Sequence, residues 1–68
     1  MASMLEYIKI ILQKVSFDRK LFEKELRKAI RMLMPAEIKR LRQWCYDHYA
    51  TVHLPVLNIC FERLSSLN

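Results

Sequence analysis

Two cysteines and two histidines in the second half of the chain have the spacing of a potential metal site. Cys45, His48, His53 and Cys60 follow the pattern C-x2-H-x4-H-x6-C, and zinc accepts thiolate and imidazole ligands in tetrahedral sites. Zinc motifs, however, usually show a closely spaced ligand pair at both ends. Cys45 and His48 also fall on the apolar face of a predicted helix, where a thiol and a hydrogen-bonded imidazole pack without metal. We therefore expect no metal and no cofactor.

The same side chains are the best candidates for catalysis. Cys45 and His48 lie one helical turn apart, but a pair on a buried face lacks the oxyanion hole and cleft that nucleophilic catalysis requires. The chain contains no glycine, which excludes the phosphate-binding loops of P-loop and dinucleotide-binding proteins. The sequence predicts a protein that is not an enzyme and has no small-molecule substrate.

Basic side chains line one face of the second predicted helix. Five of them fall within roughly a 100° arc opposite the apolar face, at about 100° per residue. This basic ridge consists of Lys20, Lys24, Arg27, Lys28 and Arg31. The chain carries a net charge of +5, which favours encounters with acidic partners. The ridge is thus a predicted binding site for an acidic protein or nucleic acid, with an ordinary solvated face as the alternative.

A helix-turn-helix motif is a further interpretation of the sharp junction at Pro35. Its recognition helix would present Lys39, Arg40, Arg42 and Gln43. The turns that should contact bases contain Glu37 instead, which would face phosphates. Sequence-specific DNA binding is therefore disfavoured. Nonspecific nucleic-acid binding, through the basic ridge with Lys39 and Arg42, is the alternative function.

Apolar residues recur at helical spacing through most of the chain and predict an all-α fold. We expect helices over about residues 4–15, 18–34 and 35–49. Their connections are too short for crossovers, so they should form a small antiparallel three-helix bundle. With 68 residues, the chain is expected to be a single domain over 1–68.

Local signals mark the ends of these helices. Ser3 with Glu6 has the form of a capping box. Asp18 is the predicted cap of the second helix, with Phe17 and Phe22 as a hydrophobic staple. Pro35 should end that helix and begin the next one.

The pattern beyond Thr51 does not distinguish helix from strand. Apolar residues crowd this segment, and Pro55 is suited to begin a short fourth helix over residues 55–64. A strand over 56–61 would require a partner strand from a second copy. We favour the helix, with a simple apolar extension as the alternative.

More apolar side chains are encoded than a three-helix core can cover. The surplus forms a predicted association surface of Tyr7, Ile10, Leu21, Met32 and Trp44. A contiguous patch of several hundred Å² typically marks an interaction site, and twofold dimers are the commonest assemblies. We expect a homodimer, although scattered exposed apolar residues are also normal in monomers.

Cysteine content and segment lengths indicate the compartment. Two cysteines are too few for the disulfide framework of a small secreted protein, and no charged segment followed by an apolar one opens the chain. No apolar run approaches the roughly 18 residues of a membrane span. We expect a cytoplasmic protein.

Three segments carry a resemblance to known sequences: residues 15–18 (VSFD), 21–28 (LFEKELRK) and 44–46 (WCY). Through them, residues 4–49 resemble short bacterial proteins that are themselves uncharacterised. The resemblance implies a cytoplasmic helical protein, and it implies no activity or site residues.

Overall fold

A computed structural model describes residues 3–66 of the chain. Its elements are α1 (Met4–Lys14), α2 (Arg19–Met32) and α3 (Pro35–Ser66). The predicted all-α fold class is confirmed, and no strand occurs within 3–66. The segment beyond Thr51 is helical. The alternative of a strand over residues 56–61 is therefore wrong.

α1 begins at the predicted cap. The backbone N–H of Glu6 donates to Ser3 Oγ at 3.2 Å, which satisfies one of the free donors of the first turn. The Glu6 carboxylate lies 3.4 Å from Lys9 Nζ, an exposed ion pair within the helix. The residues that α1 buries are Leu5, Ile8 and Leu12.

α2 begins at Asp18, as predicted. Asp18 Oδ1 accepts hydrogen bonds from the backbone N–H groups of Lys20 at 2.9 Å and Leu21 at 3.1 Å. The predicted staple is wrong, because Phe17 is 82% exposed. The Phe22 ring instead stacks on His53, with centroids 4.4 Å apart, so a residue of α3 covers it.

Removing the α2 cap should destabilise the fold measurably. We expect Asp18→Ala to lower the free energy of unfolding by about 1 kcal/mol, because two N–H groups lose their acceptor. Asp18→Asn keeps an acceptor oxygen and should cost much less. Urea unfolding followed by circular dichroism measures both; equal losses for the two variants would contradict the capping role.

The junction between α2 and α3 follows from Pro35. Leu33, the C-cap of α2, is extended (φ −91°, ψ 151°), and Pro35 disfavours helical geometry at Met34, the residue directly before it. The backbone N–H of Met34 donates to Glu37 Oε1 at 3.1 Å. Pro35 is therefore the first residue of α3, as predicted, and Glu37 caps its first turn.

α3 is bent at His53, whose φ of −123° and ψ of 26° are not helical. Pro55 lacks the N–H that would bond to the carbonyl one turn earlier, and its ring crowds that turn. Tyr46 Oη donates to Asn58 Oδ1 at 2.7 Å across 12 residues. A straight helix of that length would span about 18 Å, so α3 folds back on itself at the kink.

The third helix is longer than its predicted end at residue 49. Residues 55–64 are helical, as predicted, and they lie beyond the non-helical residue His53, which divides α3 into two helical parts. Pro55 therefore lies in the first turn of the second part, where its missing N–H leaves no helical hydrogen bond unmade, and His53 packs on Phe22 at the bend.

The core joins side chains from all three helices. Its fully buried large members are Leu12, Phe22, Leu26, Leu41, Cys45 and Leu57. Since α3 contributes on both sides of its kink, folding α3 back is what covers the α2 side of the core.

Candidate interaction surfaces

An open groove of about 290 Å³ lies between α1 and α2. We call it the α1–α2 groove. Met4, Tyr7 and Ile11 line it from α1, and Glu25, Lys28 and Met32 line it from α2. Its apolar floor consists of the buried residues Ile8, Leu12 and Ala29.

The walls of the groove are unusually exposed apolar side chains. Met4, Tyr7 and Met32 are between 46% and 59% exposed. Met4 and Tyr7 are three residues apart, so they lie on one face of α1. Methionine is unbranched and polarisable, and it adapts to partners of different shape. This arrangement suits an apolar helix face docked between α1 and α2.

One ion pair interrupts the apolar lining on the α2 side. Lys28 Nζ lies 3.6 Å from Glu25 Oε2, and the pair is separated by one turn of α2. An exposed pair of this kind contributes only about 0–1 kcal/mol. It therefore leaves both charges free to exchange partners when another molecule approaches.

The five residues of the predicted association surface lie in different places in the structure. Tyr7 and Met32 line the α1–α2 groove. Ile10 and Leu21 are exposed but do not line it. Trp44 is half-buried against the core, with Lys9 Nζ 5.9 Å above its ring, so only part of its side chain faces solvent.

Met4 and Ile11 line the groove although they share the apolar stripe of α1 with the buried residues Ile8 and Leu12. Met4 is exposed and Ile11 is only partly buried, because α2 covers α1 on a narrower face than the apolar stripe. The signal that could have found them is the width of that stripe, which exceeds what one neighbouring helix can cover.

The basic ridge is partly neutralised. Arg27 Nη2 lies 2.8 Å from Glu23 Oε2, and Lys28 pairs with Glu25 as described. The ridge residues that are exposed and outside these ion pairs are Lys20, Lys24 and Arg31. Any contact with phosphate groups would therefore rest mainly on these three cations.

Two of the four residues expected on a recognition helix, Arg42 and Gln43, make contacts within α3. Arg42 lies over the Tyr46 ring, 5.2 Å from its centroid. Gln43 Nε2 donates to Asp47 Oδ1 at 2.9 Å. These contacts stay within α3 and stabilise its first part, while Lys39 and Arg40 are exposed.

The four candidate zinc ligands do not converge. His48 is exposed and lies beside Trp44, with ring centroids 5.1 Å apart. His53 is buried, and its Nε2–H donates to the Ser16 carbonyl at 2.7 Å. In the described part of the chain, no group of three or more His, Cys, Asp or Glu residues is placed to hold a metal ion.

Both cysteines are buried and free. Burial, with a smaller effect of the neighbouring Cys60, raises the pKa of Cys45 to about 12. Burial also raises the pKa of Cys60, although the adjacent Arg27 guanidinium partly opposes this. A thiol with so high a pKa is protonated at neutral pH and is therefore a poor nucleophile and a poor metal ligand.

Comparison with known proteins provides no relative for these surfaces. No protein-family model matches the chain, and neither a curated protein nor a solved structure matches it. None of the helices within residues 3–66 has the length and apolar character needed to cross a bilayer. Arguments about function therefore rest on the groove and the charged surfaces themselves.

Proposed function

We propose that this protein is a small antiparallel helical bundle that acts noncatalytically, by self-association through the α1–α2 groove. The observation that carries the proposal is the exposure of Met4, Tyr7 and Met32 around an apolar floor. Burying apolar surface contributes about 25 cal/mol per Å². We propose the cytoplasm as its compartment, because buried free thiols persist in reducing surroundings.

A second copy is the occupant that best fits the groove. Ile10 is one turn from Tyr7 and lies on the outward side of α1, next to the groove. A twofold contact brings the same patch of two copies together. The Ile10 side of one α1 can then enter the groove of the other copy, and the reverse contact follows by symmetry.

The charges at the groove are compatible with this pairing. Each copy carries a net charge of +5, which opposes association. Glu25 and Lys28 at the groove wall have opposite signs, so each can face its counterpart of opposite sign on a second copy. The local charge balance thus removes part of the general repulsion.

Substitutions in the groove test the proposed dimer. We expect Tyr7→Glu and Met32→Glu each to weaken self-association by about 10- to 100-fold, since each would bury an unpaired charge. Sedimentation over a range of protein concentrations measures the effect. Ile59→Glu is the matched control, because Ile59 is similarly exposed but does not line the groove.

Two results would contradict the proposal. One is a wild-type chain that stays monomeric at high micromolar concentration. The other is an Ile59→Glu variant that associates as weakly as Met32→Glu, because the groove would then have no special role.

Nucleic-acid binding is the second candidate function, supported by the exposure of Lys20, Lys24 and Arg31. Binding to phosphates weakens steeply as salt rises, because counterions are released on binding. An apolar dimer should persist or tighten under the same conditions. Sedimentation at low and high ionic strength, with and without duplex DNA, separates the two functions.

A further inference from the structure

The end of the molecule where α1 joins α2 carries a second group of exposed apolar residues. The hydrogen bond from His53 to the Ser16 carbonyl, at 2.7 Å, holds the kink of α3 against the α1–α2 turn. Phe17 follows Ser16, while Val52 and Leu54 flank His53 in the sequence. All three are exposed, and none lines the α1–α2 groove. We call them the apolar tip.

Phe17 is the most exposed large apolar residue of the described part of the chain, at 82%. A phenylalanine just before a helix cap usually packs on the residue at the fourth helical position, here Phe22. The Phe22 ring contacts His53 at 4.4 Å and the edge of Tyr49 at 5.2 Å instead. With that site occupied, Phe17 projects into solvent.

Cations flank the apolar tip. Lys14, Arg19 and Lys20 are exposed and lie within three residues of Phe17. The one carboxylate among them belongs to Asp18, whose Oδ1 accepts two backbone hydrogen bonds of α2. The chain has no Asp, Glu, Lys or Arg between Asp47 and Glu62. The apolar tip therefore stands in positively charged surroundings.

We propose that the apolar tip of Phe17, Val52 and Leu54, with Lys14, Arg19 and Lys20 around it, docks peripherally on an anionic membrane surface. The cations would contact lipid headgroups while the apolar side chains enter the boundary with the acyl chains. Aromatic residues are enriched at this boundary. A nucleic acid would use the cations but would gain little from Val52 and Leu54, which cannot stack on bases.

Sedimentation with lipid vesicles tests this proposal on the full chain. We expect binding to vesicles of phosphatidylcholine with phosphatidylserine, and none to phosphatidylcholine alone. Phe17→Ala should lower the partition coefficient about tenfold or more, since a large apolar contact is lost. Lys20→Gln should lower it about fivefold. Circular dichroism checks that the variants are folded.

Matched controls separate the tip from general hydrophobicity and charge. Ile59→Ala removes another exposed apolar side chain of α3, and Lys39→Gln removes another exposed cation. Both should bind the anionic vesicles as the wild type does. If either control weakens binding as much as its counterpart at the tip, the assignment of the docking site is wrong.

Insertion of the tip can be observed directly. In the Trp44→Phe background, Phe17→Trp places the only tryptophan at the tip. We expect its fluorescence to shift to shorter wavelength with anionic vesicles. An unchanged emission, no binding to anionic vesicles, or binding insensitive to Phe17→Ala would overturn the proposal. Binding to duplex DNA that depends on Lys20 but not on Phe17 would overturn it as well.

Discussion

Replacing Phe22 with alanine is expected to lower the free energy of unfolding by about 3–5 kcal/mol. The Phe22 side chain is fully buried, and its ring contacts both His53 and Tyr49. The substitution therefore leaves a cavity where the kink of α3 meets α2. A core of this size rarely supplies more than about 3–5 kcal/mol in total, so the variant should be largely unfolded at room temperature.

The same substitution at Phe17 is a close control. Phe17 lies just before the cap of α2 and is 82% exposed, and exposed substitutions usually change stability by less than about 0.5 kcal/mol. Circular dichroism during urea or thermal unfolding compares Phe22→Ala with Phe17→Ala. Similar losses for the two variants would mean that Phe22 is not the centre of the core.

The second large effect expected is a loss of stability in alkaline solution. The Cys45 thiol has an ordinary pKa of 9.0, and burial raises it to about 12 in the folded chain. Between these values the unfolded chain releases a proton that the folded chain retains. Stability is therefore fully present below pH 9.0 and falls as the pH rises towards 12, by about 1.4 kcal/mol per pH unit.

Other buried groups act in the same direction. Burial is the main cause of the raised pKa values of Cys60, Tyr46 and Tyr49. Each of these groups also holds its proton more tightly in the folded state than in the unfolded state. We expect the contribution of Cys60 to add to that of Cys45 above pH 9.0, and those of Tyr46 and Tyr49 to add above pH 10.0.

Urea unfolding at several alkaline pH values, in the presence of a reductant, measures this loss. The midpoint should fall steadily above pH 9 in the wild type. Cys45→Ala lowers stability at every pH, but it should make the decline with pH shallower. A midpoint that does not change with pH, or an equally steep decline in Cys45→Ala, would show that Cys45 does not titrate as the structure indicates.

Local features of the sequence were sufficient to predict α1 and α2. Ser3, Asp18 and Pro35 act within one turn of their own position, through backbone N–H groups that they satisfy or remove. The apolar spacing of each helix likewise depends only on its own residues. The fold class and the ends of α1 and α2 could therefore be predicted without knowledge of distant contacts.

The course of α3 could not be predicted in the same way. Pro55 is equally consistent with the start of a helix and with a kink within one. The difference lies in His53, which bonds to Ser16 across 37 residues. No local pattern encodes that contact, so periodicity ended the third helix at residue 49 and did not place the bend at His53 or show that α3 folds back there.

The candidate surfaces show the same division. Periodicity identified Tyr7 and Met32 as surplus apolar residues, because each lies off the main face of its own helix. It also selected Trp44, which Lys9 and the core partly cover. Which surplus residues meet in a groove depends on how closely α1 and α2 approach, and that is not encoded within either helix.

By itself, the sequence determined that the chain is helical, where α1 and α2 begin and, to within two residues, where they end, and that cations and surplus apolar residues would need solvent or partners. Only the tertiary structure decided that Phe22 takes His53 as its neighbour, that Phe17 is left exposed, and that a groove opens between α1 and α2. The physical reason is the distance along the chain over which each effect acts. Caps and periodicity act over a few residues, whereas burial depends on which distant side chains compete for the same space in the core.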